Sequence, residues 1–154
     1  MTMKMELKKL KHDETVSNIS NFLIRYISKV NYLSRLPDFK VLKREFLFSN
    51  CGIAVLIYFL SRIIRTSKHE PSDAQIEYYL KPALEYLATE YKEESDIRNV
   101  LKTICNSEKG RTSLTDEIVH EVNKGIDNIT LRLPLSKSYE EISKKIREIE
   151  RTLR

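Results

Sequence analysis

Sixteen consecutive residues, Phe46 to Ser61, carry no charge, and the stretch Cys-Gly-Ile-Ala-Val-Leu-Ile-Tyr-Phe-Leu at 51–60 is apolar nearly all round. A helix without a polar face must be covered on every side, so this run calls for a bundle built around it. A membrane span wants about 20 apolar residues, whereas this run includes Ser49, Asn50 and Gly52 and stops at Arg62. It reads as a buried central helix over 52–66 and not as a span, so no membrane partner is expected.

The rest of the chain agrees with helices. Three Gly and four Pro in 154 residues leave few tight turns, and a chain this long buries about two-thirds of its unfolded surface. The expected fold is mainly α: a single-domain helical bundle, 1–154. Its clearest linker is the polar, Pro71-containing stretch at 68–73, which divides a basic N-terminal helical half from an acidic or mixed C-terminal half.

Apolar spacing places a helix over 14–34, capped near Asp13/Thr15, with Val16, Ile19, Phe22, Leu23, Tyr26, Ile27, Val30 and Leu33 on one stripe. Pro37-Asp38 starts a second face through Phe39, Leu42, Phe46 and Leu47, and Ser49 to Gly52 is a break or cap before the central helix. A helix from Ala74 to Lys92 contains Pro82, expected to kink it or start a new one. Ser95-Asp96 caps the next, Gly110 ends it, and Ser113 or Thr115 opens a helix closed by Gly125. Residues 129–135 alternate strictly, which predicts a minor β element with Pro134 confining it to an edge or a strand end; 111–114 is the candidate partner. Ser138 and Glu141 suggest a capping box for a charged C-terminal helix carrying Ile142, Ile146 and Ile149.

Cys51 and Cys105 belong to no C-x-x-C pair. They read as two small buried hydrophobes in preference to a disulfide, which implies a reducing cytoplasm. Met1 to Lys11 has no apolar h-region, so no signal peptide is expected. A single Gln (Gln75), no Trp and much Ile, Lys, Arg and Glu hint at a thermophile.

Catalytic patterns are scarce. Asp116, Glu117, His120 and Glu121 have ligand-like spacing, but the second histidine of a metalloprotease helix is missing, and an acidic helix start explains them. Pro37-Asp38 with Glu90-x-Lys92 resembles a nuclease motif only superficially, since both fall on predicted helices and not on neighbouring strands. No phosphate-cradling glycine loop or nucleophile elbow is present. We expect no enzyme, no cofactor and no metal.

Charge is the positive signal. Residues 1–68 carry 13 Lys/Arg against 5 Asp/Glu, and 69–154 carry 14 against 17, so the front is +8 and the back −3. Such a field attracts a polyanion. The candidate nucleic-acid-binding residues are Arg25, Lys29 and Tyr32 on the first helix, Lys40, Lys43 and Arg44 on the second, and Arg62 and Arg65 at the end of the central one. Cations at a helix end also satisfy terminal carbonyls, so Arg62 and Arg65 have a structural alternative. Scattered Lys and Arg neutralise phosphates without reading bases, and Tyr26 and Tyr32 are the stacking candidates, Tyr26 reading first as core. The acidic stretch from Glu70 to Asp96 complements the basic half, which would support head-to-tail self-association.

The segment Val30-Asn-Tyr-Leu-Ser-Arg-Leu36, with Ser49-Asn-Cys-Gly-Ile-Ala-Val-Leu-Ile-Tyr-Phe-Leu-Ser-Arg-Ile-Ile64, resembles the helical core of the small subunits of archaeal CRISPR RNA-guided effector complexes. That resemblance implies an antiviral-defence role for a small, mainly helical, basic protein that assembles in tandem along an effector backbone and touches nucleic acid non-specifically. The expected function is therefore a non-enzymatic, sequence-independent subunit of a ribonucleoprotein, binding the backbone of RNA or single-stranded DNA beside other subunits. The alternative is a helical protein–protein adaptor or regulator of viral or plasmid origin, whose basic face docks an acidic partner.

Overall fold

The computed structural model describes residues 3–153, the side chains of residues 10, 15, 138 and 143 excepted. It is mainly α. The helices are α1 (Met3–Leu33), α2 (Lys40–Leu42), α3 (Asn50–Thr66), α4 (Asp73–Glu90), α5 (Glu94–Thr103), α6 (Glu108–Lys124) and α7 (Lys137–Thr152). A 3₁₀ turn at Pro37–Phe39 leads into α2, and a π turn at Lys43–Leu47 continues it.

The central helix is where the uncharged run placed it. α3 buries Val55, Leu56, Phe59, Leu60 and Ile63 and packs against α6 and the π turn, while α4 bridges α1 and α6. Ile57 and Ile64 remain exposed on its outer face, so the cover is incomplete. One cluster of buried side chains, from Phe22 to Leu133, joins residues on both sides of the 68–73 linker. Among the described residues no single helix is long and apolar enough to cross a membrane; Pro37–Leu47 with Asn50–Thr66 would be apolar enough jointly but is bent by 103°.

Several boundaries differ from the sequence reading. α1 starts at Met3 and not near Asp13, because Met, Lys, Leu and Glu before Asp13 are all good helix formers; the Thr15 side chain lies outside those described. The bundle covers only part of this helix: Phe22, Tyr26 and Val30 are buried, whereas Val16 and Ile19 continue the stripe into solvent. Helix α4 runs through Pro82 without a new start, entered by a capping box in which Ser72 and Gln75 each accept from the other's backbone N–H. Helix α5 starts at Glu94, ahead of the expected Ser95-Asp96 cap.

Gly110 does not end a helix; it lies in the first turn of α6, which begins well before Ser113. Its setting repeats that of Gly52. Ser49 Oγ accepts from Gly52 N and Ser107 Oγ from Gly110 N, both at 3.0 Å. A Cβ on Gly52 would sit 1.9 Å from the Phe46 carbonyl oxygen, and one on Gly110 1.6 Å from that of Ile104. Two Ser-x-x-Gly corners thus let one helix start against the final carbonyls of the preceding segment.

A disulfide joins those corners. Cys51, in the first turn of α3, is bonded to Cys105, two residues before Ser107, with their Cα atoms 5.7 Å apart. This corrects the reading of two free thiols and removes the premise for a reducing compartment. Both cysteines are still buried, so their small apolar character was read correctly while the proximity of two distant corners was not.

The expected β element is absent: no strand occurs among the described residues. Ile129–Leu131 is a 3₁₀ turn, and the following extended segment finds a side chain where a neighbouring strand would be. Asn123 Nδ2 donates to Leu133 O at 3.0 Å, and Leu133 N donates to Asn123 Oδ1 at 2.9 Å. One amide therefore meets both backbone groups that a ladder would otherwise satisfy. Of the alternating residues only Leu133 is fully buried. Ser136 then caps α7 by accepting from Tyr139 N, so the helix begins before the expected Ser138, whose side chain lies outside those described.

Candidate nucleic-acid interface

Folding redistributes the charge that the sequence separates. Arg25 clasps the entry to α4: Nε donates to Asp73 Oδ1 at 3.1 Å, Nη1 to Glu70 Oε1 at 3.4 Å and Nη2 to the Pro71 carbonyl at 3.2 Å. Lys29 Nζ lies 3.5 Å from Glu77 Oε2, one turn further along both helices. Glu70, Asp73 and Glu77 thus meet the cations of α1, and Arg25 and Lys29, two of the expected phosphate ligands, are engaged in partly exposed ion pairs. These three belong to the Glu70–Asp96 stretch expected to complement the basic half of a second copy.

Arg62 is a structural cation, contrary to the phosphate-binding expectation. Its side chain is 6% exposed; Nη1 donates to Asp116 Oδ1 at 2.9 Å and to the Pro134 carbonyl at 2.8 Å. Asp116 also accepts from Ser136 N at 2.9 Å and from Ser136 Oγ. The pair therefore pins the 129–136 segment and the start of α7 to α3 and α6. Arg65, one turn on, remains exposed at the end of α3.

What survives is compact. The chain leaves α1 through Ser34, whose hydroxyl donates to the Val30 carbonyl at 2.7 Å, and turns at Pro37. Arg35 bends back: Nη1 donates to the Tyr32 carbonyl at 2.8 Å, and its guanidinium lies 3.8 Å from the centre of the Tyr32 ring. Lys29 Nζ is 5.8 Å from the same ring, which is itself 53% exposed. Lys40 on α2 and Lys43 and Arg44 on the π turn sit at i, i+3 and i+4, which brings them to one face.

Arg35, Lys40, Lys43 and Arg44 line an open depression of about 520 Å³ with Ser34, Leu36 and Pro37, and no carboxylate lines it. Lys40 and Lys43 have no ion-pair partner among the described residues. Arg44 is half committed, at 2.9 Å from Glu45 and 4.0 Å from Glu94. Surface pairs of this kind contribute about 0–1 kcal/mol, so a phosphate can compete for it. On the far side of Arg35 and Leu36 a smaller cavity of about 190 Å³ is lined by Tyr32 with Glu77, Lys81 and Glu85, so the Tyr32 ring borders a mixed-charge surface that gives the basic depression its edge.

Sequence reasoning missed Arg35, although it stands one turn after Tyr32. It also missed a groove of about 830 Å³ over α6, the 129–135 segment and the back of α7, with Lys124, Arg132, Lys144, Arg147 and Arg151. Counting charge over the acidic half hides this groove. It contains Glu140 and Glu148 too, and Lys124 is held by Glu121 at 2.7 Å, so its positive charge is more fully offset than that of the depression.

The four residues with ligand-like spacing have local partners. Glu117 accepts from the Tyr86 hydroxyl, Glu121 holds Lys124, Asp116 holds Arg62, and His120 lies against Tyr139 at 5.8 Å between ring centres. The four residues with ligand-like spacing therefore point to four different neighbours. Burial, then Glu117 and Glu90, pushes the Tyr91 hydroxyl up to about 12. Tyr26 is fully buried and donates to the Leu56 carbonyl at 2.7 Å, which makes it core and not a stacking platform. Burial raises its hydroxyl well above the ordinary tyrosine range. Comparison with protein-family models, with curated proteins and with solved structures yields no match for this chain.

Proposed function

We propose that this protein is a non-enzymatic binding module for the sugar-phosphate backbone of RNA or single-stranded DNA, acting as a small subunit of a multi-subunit ribonucleoprotein. The observation that carries the reading is the carboxylate-free depression lined by Arg35, Lys40, Lys43 and Arg44, with the exposed Tyr32 ring across Arg35 from it. Clustered cations neutralise successive phosphates, and an aromatic ring capped by a guanidinium is a platform on which an unpaired base stacks without sequence preference. Placement in a CRISPR-type effector, in several copies along its backbone, rests on the resemblance at 30–36 and 49–64. A thermophilic archaeal source would reconcile a cytoplasmic location with the Cys51–Cys105 disulfide, because intracellular proteins of hyperthermophiles retain such bonds.

Mobility shifts with single-stranded and duplex oligonucleotides across a salt series test the reading. The expected result is salt-dependent binding of both, with Tyr32→Ala weakening the single strand about tenfold or more and the duplex little. Absent or salt-insensitive binding at near-physiological ionic strength would reject it. The exposed apolar residues of the terminal helices favour a second reading, a protein–protein adaptor, for which a partner would be retained after nuclease treatment and after charge reversal at Lys40, Lys43 and Arg44.

A further inference from the structure

The fold leaves a regular apolar stripe uncovered at its C-terminal helix. Along α7 and its C-cap residue, Ile142, Ile146, Ile149 and Leu153 follow one another at intervals of 4, 3 and 4 and are 58%, 51%, 58% and 81% exposed. Glu140, Lys144, Arg147, Glu148 and Arg151 line the groove toward the body, so the charged back of the helix faces the bundle and the apolar stripe faces out. The helix is tethered mainly at its start, through Ser136 on Asp116 and Tyr139 beside His120. A free helix of 16 residues is marginal in water, and packing of its apolar stripe is the ordinary source of its stability.

The 4-3-4 spacing is that of a coiled-coil seam, with Ile142 and Ile149 at d and Ile146 and Leu153 at a. Lys145 then falls at g and Glu150 at the following e. In parallel, in-register strands a g residue meets the e residue five positions on in its neighbour, so each Lys145 would face the Glu150 of the adjacent copy. An antiparallel pairing centred between Ile142 and Ile146 would instead set Lys145 against its own counterpart. The pairing of Lys145 with Glu150 is the charge complementarity that a parallel self-assembly of this chain would satisfy along the stripe.

We propose that α7 is covered by the α7 helices of further copies of this chain, in a parallel, in-register coiled coil. Isoleucine at both a and d favours three strands over two. The assembly is closed and rotationally symmetric, unlike the open head-to-tail contact that the charge map suggested.

Sedimentation equilibrium of the full, disulfide-intact chain, from micromolar to near-millimolar concentration, tests it. The expected mass rises from 18.2 kDa toward that of a trimer. Ile146→Asp should hold the chain monomeric while the body's cooperative unfolding is unchanged. Lys145→Glu alone should weaken association by about tenfold, and adding Glu150→Lys should restore it. A mass fixed at the monomer value, association that survives Ile146→Asp, or failure of the charge swap to restore assembly would overturn the proposal. So would association that appears only with lipid vesicles.

Discussion

Arg62 Nη1 donates to Asp116 Oδ1 at 2.9 Å, and both side chains are almost wholly withdrawn from water. The pair joins α3 to α6 at the place where Pro134 and Ser136 hang on the same two residues. Removing one partner leaves an uncompensated buried charge, so Asp116→Ala should cost about 3–5 kcal/mol. Replacing both by apolar residues of similar volume, Arg62→Met with Asp116→Leu, should recover a large part of that loss. Urea denaturation of the three proteins checks the ordering.

The Cys51–Cys105 bond closes a segment spanning 54 residues. On the chain-entropy account a loop of that size is stabilised by about 4 kcal/mol. Reduction, or Cys51→Ser with Cys105→Ser, should therefore lower the urea midpoint by the equivalent amount, and both thiols should resist a maleimide reagent until a reductant is added.

The two Ser-x-x-Gly corners make a paired prediction. Gly52→Ala and Gly110→Ala each drive a methyl into a backbone carbonyl that cannot retreat like a side-chain tip, so each should cost at least about 1–3 kcal/mol. Gly125→Ala, whose Cβ would meet only the Val122 carbonyl oxygen at 3.7 Å, should cost less than either. Thermal melts of the three variants give the comparison.

Tyr26 predicts an alkaline limit to stability. Its hydroxyl is raised by burial, so the folded state holds the proton more tightly than the unfolded chain, which ionises near pH 10. Its contribution is complete below that pH and is lost above it at about 1.4 kcal/mol per pH unit, until the folded hydroxyl itself titrates. Tyr26→Phe should be about 1 kcal/mol less stable near pH 8, having lost its bond to the Leu56 carbonyl. That deficit should close by about pH 11, as denaturation curves along a pH series would reveal.

These residues also mark how far the sequence could be read. The core of α3 was legible because burial of a helix is written in its own composition, and Ser49 and Gly52 marked its start. Longer-range features were not. Asn123 replaces a strand partner for Leu133 through its side chain, and alternation alone cannot say what lies opposite. Gly110 looks like a helix terminator until the Ile104 carbonyl is known to press on it. The pairing of Cys51 with Cys105, of Arg25 with Asp73 and of Arg62 with Asp116 depends on which helices meet, which local periodicity does not encode. For the site, Tyr32, Lys40, Lys43 and Arg44 were visible as exposed positions of one polarity. Arg35 was hidden because it follows the helix, and the pairing of Arg25 and Lys29 and the burial of Arg62 were not legible because their acids arrive from elsewhere in the chain.

The central claim is that the depression around Lys40 and Lys43 holds nucleic-acid phosphates. It is tested most directly by fluorescence anisotropy of a labelled single-stranded RNA titrated with the protein and with Lys40→Gln/Lys43→Gln over a range of salt. The account predicts weaker binding by the variant at every salt and a plot of log K against log salt that is shallower by about 1.4, two phosphate contacts at about 0.7 each. An unchanged affinity with an unchanged slope would contradict it.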